Sequence, residues 1–186
     1  MPQLPDYHYG VLTSGMRKQI AEDTTATNFN YGNVYMNKDA PIQADKTLHW
    51  PFLNVTQQGD EEYDSDLTAI MRTQYGGTTS NVGVGFSTIM RTMIVGRVVS
   101  TSSNLASIGE ELVSNMFDYR VQVQRSIELG SDDKTTNLGK LVSFCELSSV
   151  SDELIMEGRS PIMATALDWE IKYRLADGIS NWTPGN

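Results

Sequence analysis

The segment from Ile162 to Leu175 constrains the fold more than any other part of this chain. Its odd positions are mostly apolar, whereas its even positions from Ala164 to Arg174 hold two alanines followed by four charged residues. Successive side chains of a strand point to opposite faces of a sheet. The alternation therefore predicts a long strand with one buried face and one wet, charged face. The wet face carries no nucleophile and no histidine, so this pattern indicates that the strand has a structural role and holds no catalytic site.

Two other segments have helical periodicity. In residues 11–22 the apolar residues recur every fourth position, which predicts a short helix that begins near Thr13 or Ser14. The clearest helix begins at Leu105 and ends between Arg120 and Glu128, with apolar residues at steps of three and four. The core-facing positions of this second helix are Leu105, Ile108, Leu112, Met116, Tyr119 and Val123.

Shorter apolar runs complete the predicted sheet. Besides residues 162–175, strands are expected at residues 33–36, 50–56, 84–99, 141–147 and 152–158. A glycine inside the longest of these runs, Gly96, indicates a bulge. Because strands lie close in sequence with few crossover helices, we expect an α+β fold in which two helices flank a mainly antiparallel or mixed sheet. Residues 1–186 are expected to form a single domain.

A long polar connection separates two of the predicted strands. Residues 57–81 are far longer than the ~2–5 residues of a usual hairpin loop, so an extended arm that reaches a partner is expected there. Residues 1–10 and 176–186 are expected to be flexible tails, and the tryptophan in the second tail indicates a subunit contact. The candidate partner-interface residues are Asp60, Glu61, Glu62, Asp64, Asp66 and Trp182.

Charge and hydropathy exclude several functions. The net charge is −9 and the basic residues are scattered, so a surface that grips phosphates is not expected, although an acidic surface lets DNA pass without trapping it. No apolar run approaches the ~20 residues of a bilayer-spanning helix, and the first residues do not resemble a signal peptide. We therefore expect no membrane contact, and synthesis and folding in a reducing cytoplasm.

Residues suited to catalysis or metal binding are few. His8 and His49, the only histidines, lack partners at ligand spacing, and the acidic run lacks the glycine and closing glutamate of a calcium loop. The single cysteine, Cys145, is expected to be a small buried residue of a strand. No catalytic, metal-binding or cofactor-binding residues are predicted, and an enzyme is not expected. A small hydrolase with scattered acidic residues is the weaker alternative.

Several segments together carry a resemblance to a known family. They are Gly-Asn-Val-Tyr at 32–35, Trp-Pro-Phe-Leu-Asn-Val at 50–55, Leu-Ala-Ser-Ile-Gly-Glu-Glu-Leu at 105–112 and Ala-Leu-Asp-Trp-Glu-Ile-Lys-Tyr-Arg at 166–174. In this order, over residues 11–175, the chain resembles the tail-terminator proteins of long-tailed bacteriophages, the family that includes the lambda tail terminator.

The resemblance implies a structural protein of the virion tail and neck. Such a protein forms a homo-oligomeric ring, expected to be a hexamer, that caps the tail tube protein and then joins head–tail connector and neck proteins. DNA passes through the ring without specific binding. The residues leave another head–tail connector, neck or minor tail protein open as an alternative.

Overall fold

The computed structural model describes residues 7–36, 49–62, 84–98, 105–128, 138, 142, 144–155 and 161–175. These residues form an α+β fold of two helices and a mixed sheet, which confirms the predicted fold class. In chain order the elements are α1 (Tyr7–Glu22), β1 (Val34–Met36), β2 (Phe52–Glu62), β3 (Val84–Arg97), α2 (Leu105–Glu128), β4 (Phe144–Ile155) and β5 (Ile162–Leu175).

The sheet contains five described strands in the order β1-β2-β3-β5-β4. β1 runs parallel to β2, and every other neighbouring pair is antiparallel. The longest pairing joins β3 to β5 without interruption from Val84↔Leu175 to Arg97↔Ile162. β5, whose alternating pattern most constrained the predicted fold, is therefore an interior strand that is hydrogen-bonded to a neighbour on both edges.

Both helices pack on one face of this sheet. The main core joins the predicted apolar face of α1 to that of α2 and to the inward residues of β2, β3 and β5. Trp169 of β5 lies at its centre and is fully buried. Burial of this kind supplies most of the stability of a small fold. Most positions that the helical periodicities predicted are confirmed as buried: Leu12, Met16, Ile20, Ile108, Leu112, Met116 and Val123. Tyr119 is only partly buried against this core, and the side chain of Leu105 lies outside the described part of the structure.

The opposite face of the sheet is wet along only part of its length. Asp168 and Lys172 are partly exposed, as the alternation predicts, but Ile162 and Ala164 are buried in a second, smaller apolar cluster with Phe52 and Val95. Partly buried Tyr35, Trp50 and Met93 pack against that cluster. The prediction of a single wet face is therefore wrong for the first residues of β5.

Three predicted element boundaries are corrected by the structure. α1 begins at Tyr7, so residues 7–10 are helical and do not belong to a flexible tail. β2 continues to Glu62, so residues 57–62 pair with β3 on both sides of a register shift at Gly59, and the expected arm cannot begin at residue 57. The two strands expected at residues 141–147 and 152–158 are one strand, β4, with a register shift between Leu147 and Ser149.

Gly96 is the site of a close helix–strand contact and not of a bulge. The register of β3 on β5 continues through Gly96↔Met163. A Cβ atom placed at Gly96 would lie 2.3 Å from Sδ of Met116 and 3.5 Å from the Tyr119 ring. A side chain at this position would require the buried Met116 side chain to move, so glycine lets Met116 pack directly against the backbone of β3.

Candidate assembly surface

A row of exposed apolar side chains runs along the outer side of α2. Val113, Phe117 and Val121 are 57%, 61% and 45% exposed. They lie four residues apart, so they are neighbours on the helix surface, on average about 135° round the helix from its buried residues. Single exposed apolar residues are ordinary, but a contiguous row of them is typical of a surface that contacts protein.

The apolar row of α2 has a signal in the sequence that is separate from the core-facing periodicity of this helix. Apolar positions at steps of three and four identified the core-facing side of α2, and that side alone explains why the helix packs on the sheet. The additional apolar positions 113, 117 and 121 have helical spacing too, but they form a second stripe that faces away from the core. A helix with two separate apolar stripes has more apolar surface than its own core requires.

A fixed ion pair occupies the charged part of the outer sheet face. Nε of Arg91 on β3 donates to Oδ1 of Asp168 at 2.7 Å, and Nη2 of the same arginine donates to Oδ2 at 2.9 Å. Oγ of Ser149 on β4 donates to the same Oδ2 at 3.1 Å. This pair, on β3 and β5, together with Ser149 on β4, links three neighbouring strands across their solvent face.

The same contacts determine the protonation of Asp168. The hydrogen bonds from Arg91 hold the pKa of the Asp168 carboxyl below its ordinary value, against the opposing effect of partial burial. A carboxylate that stays ionised and has both oxygens occupied is poorly suited to general acid–base catalysis, which needs a pKa near the working pH. The arrangement therefore fits a structural cross-link.

Other polar side chains of this face also make contacts. Nζ of Lys172 lies 3.0 Å from Oε1 of Glu170 and 5.0 Å from the centre of the Phe144 ring. At the other end of the face, the guanidinium of Arg97 lies 6.0 Å from the centre of the Trp50 ring. Exposed contacts of this kind contribute little stability, but they keep long side chains ordered on the surface.

The candidate interface residues are only partly within the described structure. Asp60, Glu61 and Glu62 lie in β2, where their backbones pair with Thr88, Ser87 and Phe86 of β3. Asp64, Asp66 and Trp182 lie outside the described residues. The three described acidic residues therefore belong to the sheet, on a different element from the apolar row of α2, and the structure does not bring the two groups together.

Residues with chemical reactivity are sparse in the part of the chain described. There, no three side chains of His, Cys, Asp or Glu come together as potential ligands of a metal ion. Cys145 lies on β4, partly buried against the main core, and burial raises the pKa of its thiol to about 12. A thiol with this pKa is protonated at neutral pH and is a weak nucleophile.

Comparisons with known proteins give no family assignment. No protein-family model matches the sequence, and a search of curated proteins finds no significant match. Among the described helices, none combines the length and the apolar character that crossing a bilayer requires.

Proposed function

We propose that this chain is a structural subunit of a virion, a tail-terminator protein that closes into a ring on the head-side end of a phage tail tube. The observation that carries the proposal is the solvent-facing apolar row of α2, because a protein subunit that works by contact needs such a surface. The proposal of a tail terminator in particular rests on the resemblance of the four sequence segments described above.

The described fold is compatible with that assignment. The resemblance implies a mixed or antiparallel sheet flanked by helices, and the four segments lie in or beside β1, β2, α2 and β5. The ion pair of Arg91 and Asp168 joins neighbouring strands across the sheet face, which suits a subunit that acts by its shape.

Charge supports the same function. The chain carries a net charge of −9, so a ring of several copies presents a strongly acidic surface. Like charge repels the DNA backbone, and a pore of this kind lets DNA slide without specific binding. The partners of the ring are further copies of this chain, the tail tube protein on one side and neck proteins on the other. A ring built from heterologous contacts has two different faces, as two different partners require.

Electron microscopy of the purified chain, alone and with tail tubes of the virion that carries it, tests the proposal. Closed rings seated on one end of each tube are the expected result. Binding to the portal side of the head instead would contradict tail termination and favour a head–tail connector. A chain that forms no ring and binds neither structure would contradict the proposal altogether.

A deletion variant tests the expected arm separately. Replacement of residues 64–82 by a short Gly-Ser linker leaves β2 and β3 whole, because those strands end at Glu62 and begin at Val84. We expect an unchanged circular dichroism spectrum and cooperative unfolding, but loss of ring assembly. If tails still terminate at the normal length with this variant, residues 64–82 are not the contact that assembly needs.

A further inference from the structure

A second group of exposed apolar side chains lies beside β1. Tyr31 in the loop before β1 and Met36 at the end of β1 are 48% and 38% exposed. Arg17 of α1 packs on this loop and strand: its guanidinium lies 5.0 Å from the centre of the Tyr31 ring, and its Nε donates to the carbonyl oxygen of Val34 at 2.8 Å. We call the surface formed by Arg17, Tyr31 and Met36 the α1–β1 patch.

The α1–β1 patch and the apolar row of α2 face in opposite directions. The two helices contact each other through Gln19 and Ser126: Nε2 of Gln19 donates to the carbonyl oxygen of Ser126 at 3.1 Å, and Oγ of Ser126 donates to that of Gln19 at 3.1 Å. A helix turns about 100° per residue, so Phe117 lies about 180° round α2 from Ser126. By the same geometry, Arg17 lies about 160° round α1 from Gln19. Each surface is therefore on the side of its helix that faces away from the other helix.

The sheet places the same two surfaces near its opposite edges. α1 packs on β1 and β2, whereas α2 packs on β3, β5 and β4. β1 and β4 are the first and last strands of the described sheet. One subunit therefore presents two different apolar surfaces on opposite sides, which is the arrangement that a heterologous contact between identical copies requires.

The charges beside these surfaces are opposite in sign. The exposed charged side chains of α2 are four acidic residues and one basic residue: Glu110, Glu111, Asp118, Glu128 and Arg125. Beside the α1–β1 patch, Arg17 is followed by the exposed Lys18. Glu22 also lies there, and its Oε1 accepts a hydrogen bond from the hydroxyl of Tyr31 at 2.7 Å. Two α2 helices of this composition repel each other, whereas an acidic α2 attracts the two adjacent cations.

We propose that the α1–β1 patch of one copy receives the apolar row of α2 of the next copy, so that successive copies join through two different surfaces. A second copy is the occupant because both surfaces belong to this chain and match each other in apolar character and in charge. The contact is heterologous, and such contacts close into a ring when the rotation between copies permits it. The inference rests on the proposed function, since it names the partner of the surface from which the ring was proposed.

The sizes of the two surfaces limit the strength of a single contact. Three apolar side chains on one side and two on the other bury less than the ~800 Å² per partner of a standard stable interface. We therefore expect a single contact to have a dissociation constant on the order of 0.1 mM. In a closed ring each copy makes two such contacts, and the contact that closes the ring is intramolecular, so the ring is more stable than one contact alone.

Two variants, each with one surface blocked, test the proposal. Phe117→Gln blocks the row, and Lys18→Glu combined with Tyr31→Ser blocks the patch; all three side chains are exposed, so the circular dichroism spectrum should not change. In sedimentation equilibrium between about 10 μM and about 1 mM, the wild type should associate beyond two copies, and each variant alone should remain a monomer. An equimolar mixture should form a dimer and nothing larger, because it contains one intact row and one intact patch.

Other outcomes would overturn the proposal. If either blocked variant dimerises alone, its remaining surface pairs with itself, and if the mixture stays monomeric, the two surfaces do not bind each other. A wild type that is a monomer throughout would also contradict the contact. Micrographs of the wild type with tail tubes are scored separately. Rings on tubes without pairing in the mixture would reject this contact and retain the proposed function, whereas pairing without rings on tubes would reject tail termination and retain the contact.

A single charge reversal tests the electrostatic part of the contact. Lys18→Glu alone should weaken association by about five-fold, because a negative side chain then faces the acidic α2. Lys172→Glu makes the same charge change on the outer sheet face, away from both helices, and as the matched control it should associate within about two-fold of the wild type. Equal effects of the two changes would contradict the pairing of α2 with the α1–β1 patch.

Discussion

Replacement of Trp169 is the most direct test of how the core holds the sheet and helices together. Trp169 is fully buried, and its Nε1–H donates to Oγ1 of Thr92 at 3.0 Å, an atom of a residue that is itself fully buried. A buried indole removes ~150–250 Å² from water, worth about 4–6 kcal/mol at ~25 cal/mol per Å². Trp169→Ala should therefore lower the free energy of unfolding by about 4 kcal/mol, within the usual ~3–5 kcal/mol for such changes.

The hydrogen bond can be separated from the lost volume by a double-mutant cycle. Thr92→Val leaves the indole N–H buried without an acceptor and should cost about 1–3 kcal/mol, whereas Trp169→Phe removes the donor and part of the volume and should cost about 2 kcal/mol. Because the two changes share one bond, the double variant should lose about 1 kcal/mol less than the sum of the two.

Urea unfolding followed by far-ultraviolet circular dichroism measures all four proteins of the cycle. Phe117→Ala is the matched control, because it removes an exposed aromatic ring from the same molecule and should cost less than about 1 kcal/mol. A loss below about 1 kcal/mol for Trp169→Ala would refute the burial argument. Strict additivity of Thr92→Val and Trp169→Phe would show that the bond between them contributes nothing.

Two further changes test local features of the fold. Gly96→Ala should destabilise by about 1–3 kcal/mol because its Cβ meets Met116, whereas Gly109→Ala in α2, where a Cβ meets nothing within 4 Å, should stabilise by about 0.5–1 kcal/mol; equal effects in thermal unfolding would contradict the close contact at Gly96. Asp168→Asn should cost about 1 kcal/mol at pH 7, because Arg91 is partly exposed and water screens the pair. The folded-state pKa of Asp168 is depressed, so this stability is present above the unfolded pKa of about 3.9 and is lost as pH falls through the folded pKa. The difference between wild type and variant should therefore shrink below about pH 4, and a difference that is constant with pH would contradict the role of the ion pair.

The sequence predicted elements whose pattern is local and missed those that depend on distant partners. α2 and β5 were predictable because periodic burial is visible within each segment. The end of β2 was not, because Gln57, Gln58 and Gly59 resemble a loop, and only the pairing of Gln57, Gln58 and the residues after Gly59 with β3 extends the strand. β4 was divided in two for a similar reason, since the polar residues at its register shift look like a break.

The candidate assembly surface was predictable only in part. The outward apolar positions of α2 are visible in the sequence, but only the packing of the opposite side shows that they face solvent. The partnership of Arg91 with Asp168 depends on the register of β3 against β5, which aligns residues that are far apart in the chain. No local pattern contains that information, because a shift of register would pair each residue differently.

The contact between Gly96 and Met116 links the core of the molecule to the exposed row of α2. Met116, which packs on Gly96, is followed directly by Phe117, the centre of that row. A larger residue at position 96 forces Met116 to change its position, and the strain of that change falls on the residue next to Phe117. A substitution buried beneath α2 is therefore expected to alter binding at the exposed row even though no partner touches it.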